Sequence, residues 1–133
     1  MRGALVAVLG LTPWVAAAAC LTYAPAEVTL IGTVRFQTFA GPPNYESIAA
    51  GDRAERVPIL ELDASVCVRG AEGDLINVSH NSIRTVQLVV PLGLSVDFSN
   101  ARPVTVIGQL IGRATGHDRT PVLLIVKSLA NAT

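Results

Sequence analysis

Neither sign of charge is in excess in this 133-residue chain, where ten basic side chains stand against ten acidic ones and charged residues make up only 15% of the total. Binding to nucleic acid draws on a positive field that displaces counterions, and the composition builds none, so nucleic acid is not expected as a partner. Histidine is scarce, with His80 and His117 alone, and no HExxH, CxxC or paired-His spacing occurs. No metal site and no cofactor are therefore legible. The GxSxG, Walker and GxGxxG signatures are missing as well, and nothing singles out a catalytic nucleophile. Helical periodicity is also lacking. Residues 92–101 have room for one short turn, limited by Pro91, Gly93 and Pro103.

What the chain does have begins with a leader. Met1 and Arg2 supply a positive start, residues 3–15 are apolar apart from Thr12 and Pro13, and residues 16–19 are all alanine. This layout predicts a signal peptide over 1–19, cleaved between Ala19 and Cys20, and a single exported domain over 20–133. Pro13, the alanine run and the lack of a following basic cluster argue against a membrane span, so none is expected after cleavage. The remaining chain carries nine basic and ten acidic side chains. Two readings of Cys20 compete. Paired with Cys67 it forms the disulfide that an even cysteine count in an exported domain favours, worth roughly 3–4 kcal/mol on the chain-entropy model. Lipidated at a lipoprotein cleavage site, it would anchor the protein and leave Cys67 unpaired.

Beyond the leader the hydrophobic period is two. Val28, Leu30, Gly32, Val34 and Phe36 share one face, with Thr29, Thr33, Arg35 and Gln37 on the other. Leu60, Leu62, Ala64, Val66 and Val68 alternate with Glu61, Asp63, Ser65 and Cys67, which turns Cys67 away from the core stripe. Further strands are expected at 83–90, 104–111 and 122–128, the last nearly all apolar and so central. The frame V-T-x-I-G-x-(V/L) occurs at 28–34 and again at 104–110, placing Gly32 and Gly108 inside strands. Glycine there marks a sharp bend where one strand serves two sheets. Five strands, two of them bent by glycine, predict an all-β fold, a small five-stranded OB-like barrel, with a small β-sandwich as the alternative.

Two links hold the polar concentration. Residues 40–56 contain GPPNYES at 41–47, where stiff prolines lead to Asn44, Tyr45 and Glu46; residues 113–120 contain His117, Asp118 and Arg119. In an OB barrel these two links flank the same binding face, so the six side chains are expected to converge on one recognition site. The plainer reading makes the first link a cover with Tyr45 and Ile48 plugging the core, and the second a hairpin turn. His80, in a turn-forming polar run, reads as a solvated loop residue. The sequons at 77–79 and 131–133 carry no weight in a bacterial chain.

Several segments together resemble a bacterial family, the domain-of-unknown-function family numbered four-four-three-one. They are CLTYAPAEVTL at 20–30, FAGPPNYES at 39–47, LELD at 60–63 leading to Cys67 and Val68, VQL at 86–88, and 104–126 with TGHDRTPVLL inside it. The resemblance spans nearly the whole exported part and implies a small secreted or periplasmic bacterial protein without an established activity. The chain departs from that family after Thr115 and Gly116, where one histidine replaces several, and at 92–103, which is shorter and less helical.

The expected function is an exported, non-enzymatic binding module of the bacterial cell envelope, periplasmic or secreted, with loops 40–56 and 113–120 meeting an envelope protein or glycan. Two other classes are kept. One is an inhibitor or immunity-type protein blocking another protein's active site with residues 42–45. The other is a small hydrolase or lyase using His117 as general base, oriented by Asp118 or Glu46.

Overall fold

A computed structural model describes residues 3–10, 19–98 and 103–132. Residues 1, 2 and 11–18 of the expected leader fall outside these; residues 3–10 belong to neither helix nor strand. Six strands follow in order: β1 (Leu21–Thr22), β2 (Val28–Ala40), β3 (Ala54–Arg69), β4 (His80–Val89), β5 (Val104–Gly112) and β6 (Val122–Asn131). Among the described residues no helix is long and apolar enough to cross a membrane.

Strand β2 pairs antiparallel with β3 and with β5, β5 with β6, and β3 with β4. A parallel pairing of β4 with β6 closes the ring, which is OB-barrel connectivity. As its apolar run implies, β6 is central, lying between β5 and β4. The interior is filled by Leu60, Val86, Val106, Leu110, Val122 and Leu124, none more than 1% exposed. Gly32 and Gly108 sit where strands pass within backbone contact, at the carbonyls of Glu61 and Ile125 respectively, and a Cβ at either position would collide there. The repeated frame thus marks two closing corners.

The structure differs from the sequence reading where strands outrun the barrel. The β2–β3 ladder continues to Ala40 opposite Ala54, so the first link shortens to residues 41–53. Phe36, expected inside, lies on that extension; it is 36% exposed, edge-on to Phe98 and beneath the Arg56 guanidinium. Ala64 is exposed because the β3–β4 register shifts between Glu61 and Val66. His80 opens β4, opposite Val68, instead of lying in a loop. The turn allowed at 92–101 is a turn at Leu92 and Gly93, and residues 99–101 lie outside the described residues.

The two-residue β1 is too short for any pattern to announce it. It pairs parallel with β3 through Leu21 and Val68 beside the Cys20–Cys67 disulfide. With its sulfur in that bond, Cys20 is not a lipid attachment point in this structure. A disulfide of this kind belongs to an oxidising compartment, consistent with an extracytoplasmic location.

One feature of the packing positions the site. Val57, Ile59, Gln87 and Leu123 are buried, yet stand outside the interior cluster. Ile59 pairs with Gln87, and Gln87 with Leu123, so three of the four form a row across β3, β4 and β6. Ile59 and Leu123 alternate with the interior residues Leu60 and Leu124. The row therefore faces outward, and it is buried because loop chain lies over it.

Candidate functional site

Gln87 shows which loop covers that row. Its side-chain amide donates to the His117 carbonyl at 3.2 Å and its Oε1 accepts from the Arg119 N–H at 2.6 Å, while its own backbone N–H donates to Thr120 Oγ1 at 2.9 Å. A polar residue inside the apolar run at 86–90 is thus satisfied by the backbone of the β5–β6 loop, as a buried amide must be. Asp118 tightens the same loop, its Oδ2 accepting from Ala114 and Thr115 N–H at 2.8 and 2.9 Å. Asp118 is a turn former here, which the plainer reading anticipated.

The β2–β3 loop is organised by Asp52, which is 5% exposed and accepts the backbone N–H groups of Asn44, Glu46 and Ser47, each at 2.9 Å. The chain crosses the cap at Tyr45 with φ of 57°, a left-handed conformation rare for a bulky side chain and costing on the order of 1–3 kcal/mol. Tyr45 and Ile48 do not plug the core: they are 38% and 46% exposed. The side chains of Asn44 and Glu46 are exposed and make no hydrogen bond among the described residues.

The loops meet where sequence spacing anticipated. Tyr45 Oη lies 3.3 Å from His117 Nε2, with the two rings edge to face at 5.7 Å. Beneath them sits Glu55, on the extension of β3. One carboxylate oxygen is 2.7 Å from His117 Nδ1 and the other 2.8 Å from Arg119 Nη2. Arg119 also donates to the Ala40 carbonyl at 3.0 Å and lies 4.9 Å from the Phe39 ring centroid and 5.5 Å from that of Tyr45. Its side chain is only 11% exposed. Gly41 keeps this space open, since a Cβ there would come within 2.7 Å of the Glu55 side chain.

Of the six residues expected to form one face, Tyr45 touches both His117 and Arg119, and the latter two are joined through Glu55. Asn44 and Glu46 border them through the cap, and Asp118 faces its own turn. Glu55, Gln87 and Asp52 were missed as site residues. Glu55 fell within the span read as loop, and its pairing with Phe39 emerges only from the β2–β3 register. Gln87 did carry a signal, as the single polar residue of an apolar run. The orienting carboxylate for His117 is Glu55, and not Asp118 or Glu46.

Three carboxyls titrate below their ordinary range. Asp52 is held under 3.8 by the Ser47, Glu46 and Asn44 N–H groups, Glu55 under 4.5 by the Arg119 hydrogen bond and then by His117, and Asp74 under 3.8 by the Asn77 and Ile76 N–H groups. A carboxyl with a lowered folded pKa contributes stability that is present above its ordinary value and lost as pH falls through the folded one. The urea midpoint is therefore expected to fall below about pH 4. In Asp52→Asn the decline should be shallower and the neutral-pH midpoint lower; a profile unchanged in both respects would remove Asp52 from this role.

Shallow hollows of about 420 and 490 Å³ lie elsewhere, the first lined by residues including Leu94 and Lys127, the second by Glu61, Asp63 and Arg84 among others. Among the described residues no group of three or more His, Cys, Asp or Glu is arranged to hold a metal. Compared with models of known protein families, with curated proteins and with solved structures, the chain matches none.

Proposed function

We propose that the protein is an exported, non-enzymatic binding module of a bacterial cell envelope, and that its recognition face is the meeting of the β2–β3 and β5–β6 loops. The observation that carries this reading is the contact of Tyr45 with His117 across 72 residues of sequence, exposed above a braced Glu55–Arg119 pair. An exposed tyrosine held on a rigid base loses little entropy when a partner covers it. Asn44 and Glu46 add side-chain hydrogen-bonding groups not spent among the described residues. The occupant we favour is an envelope protein, because the face is a projecting pair of loops, whereas a small ligand takes a concave site. The disulfide supports an oxidising location, and the resemblance to the bacterial family stands behind the envelope assignment.

The test is capture from a bacterial envelope extract with the native protein and with a Tyr45→Ala, His117→Ala double variant, followed by pairwise titration of the recovered partner. The native bait should bind at least about tenfold tighter, as expected where a central aromatic is lost, with unfolding midpoints nearly equal. Equal recovery by both baits would defeat the reading. Recovery of a glycan instead would keep the face and change the partner.

A further inference from the structure

The geometry points to a covalent property of the same face: Tyr45 is an activated phenol that accepts an acyl group from an activated ester, with His117 as its base and Glu55 as the residue that positions the base. This shares its residues with the binding reading but requires no partner protein.

The assignment of protons follows from the contacts. Glu55 receives the Arg119 guanidinium on one oxygen and His117 Nδ1 on the other, at 2.8 and 2.7 Å. An ionised carboxylate only accepts, so Nδ1 carries the proton. In the neutral ring Nε2 is then a lone pair, and it is Nε2 that lies 3.3 Å from Tyr45 Oη. Nucleophile, base and orienting group thus stand in the sequence that activates a hydroxyl in covalent catalysis. Arg119 is itself held beside Glu55, its Nη2 donating to the Ala40 carbonyl as well and its backbone N–H to Gln87 Oε1. The protein's other tyrosine provides the contrast. Tyr23 is 6% exposed and donates to the Val78 carbonyl, which cannot take a proton. Burial raises its pKa further.

A contact that served only to join the loops would gain from being buried. This one is open: the His117 side chain is 60% exposed, and Tyr45 is 38% exposed. An electrophile can reach the phenol. In the step, Tyr45 Oη attacks the ester carbonyl carbon and an oxygen–carbon bond forms. The bond to the leaving alkoxide or phenolate breaks, and the phenol proton passes to Nε2. The imidazolium is paired with Glu55 and returns its proton to the leaving group or to solvent. The product is an aryl ester on Tyr45.

The probe is p-nitrophenyl acetate, with acetylation mapped by peptide mass spectrometry on the purified protein and its variants, and folding checked by circular dichroism. Tyr45 should acetylate at least about tenfold faster than N-acetyl-tyrosinamide, a threshold set below the roughly hundredfold or more that positioned general bases supply. Tyr23 should remain unmodified. Glu55→Gln and His117→Ala should bring Tyr45 to the reference rate, and added imidazole should restore it in His117→Ala. His117→Asn serves the same comparison if the alanine variant loses its fold. A Tyr45 rate equal to the reference compound would overturn the proposal, as would a native rate in the His117 variants or no response to imidazole. Tyr45→Phe separates the two readings, because it removes the acyl acceptor while keeping the ring that a partner would cover.

Discussion

Removing both cysteines, as Cys20→Ala with Cys67→Ala, is expected to lower the stability of the protein by about 4 kcal/mol. The bond joins residues 47 apart, and the entropy of closing a loop of that length in the unfolded chain gives the figure. Few other contacts compensate, because β1 is two residues long and pairs only with β3. Tyr23 stays in the core cluster and Ala24 N–H donates to the Leu110 carbonyl, so the segment after β1 should remain docked in the variant. The measurement is urea unfolding of the oxidised native protein, the reduced native protein and the double variant. Reduction should match the double variant, and a reductant should leave the double variant unmoved. A loss under about 1 kcal/mol would mean that the unfolded chain is already compact around this segment. Acetylation of Tyr45 should be unchanged throughout, because Cys67 lies 12 residues along β3 from Glu55.

How far the sequence discloses this molecule depends on the range of the interaction that decides each feature. Alternation along β2 and β3 and the glycines at 32 and 108 are local, and they carried the reading to a five-stranded barrel. The pairing of Cys20 with Cys67 followed from an even cysteine count in an exported domain, and the alternation that turned Cys67 outward allowed it. Phe36 was misplaced for a reason alternation cannot express: it marks which face a residue takes, and not where the opposite wall ends. The convergence of Tyr45 with His117 was legible only by way of the fold, since OB connectivity brings those two loops together. Glu55 was not legible at all. Its role depends on a register that sets it opposite Phe39, under a loop more than 60 residues away in sequence. Gln87 lies between these cases, since its presence in the apolar run showed that a buried polar partner was needed without showing which.

Core and site should also separate under mutation, and Leu124→Ala tests this with the largest single-residue effect expected. Leu124 is fully buried, paired with Leu110 on β5 and Leu88 on β4, at the place where the parallel β4–β6 contact closes the barrel. Truncation removes three carbons and leaves a cavity between strands that cannot approach each other without breaking two ladders. The cost should fall near the upper part of the usual range, about 3–5 kcal/mol. Ile59, Gln87 and Leu123 lie on the opposite side of the same strands and support the loops from outside. Their packing depends on Leu124 only through the backbone. At temperatures where the variant is still folded, the acetylation rate of Tyr45 should therefore stay within about twofold of native, while Glu55→Gln loses that rate with a far smaller change in unfolding midpoint. Coupled losses in both variants would show that the loops take their geometry from the interior and not from the outer row that Gln87 anchors.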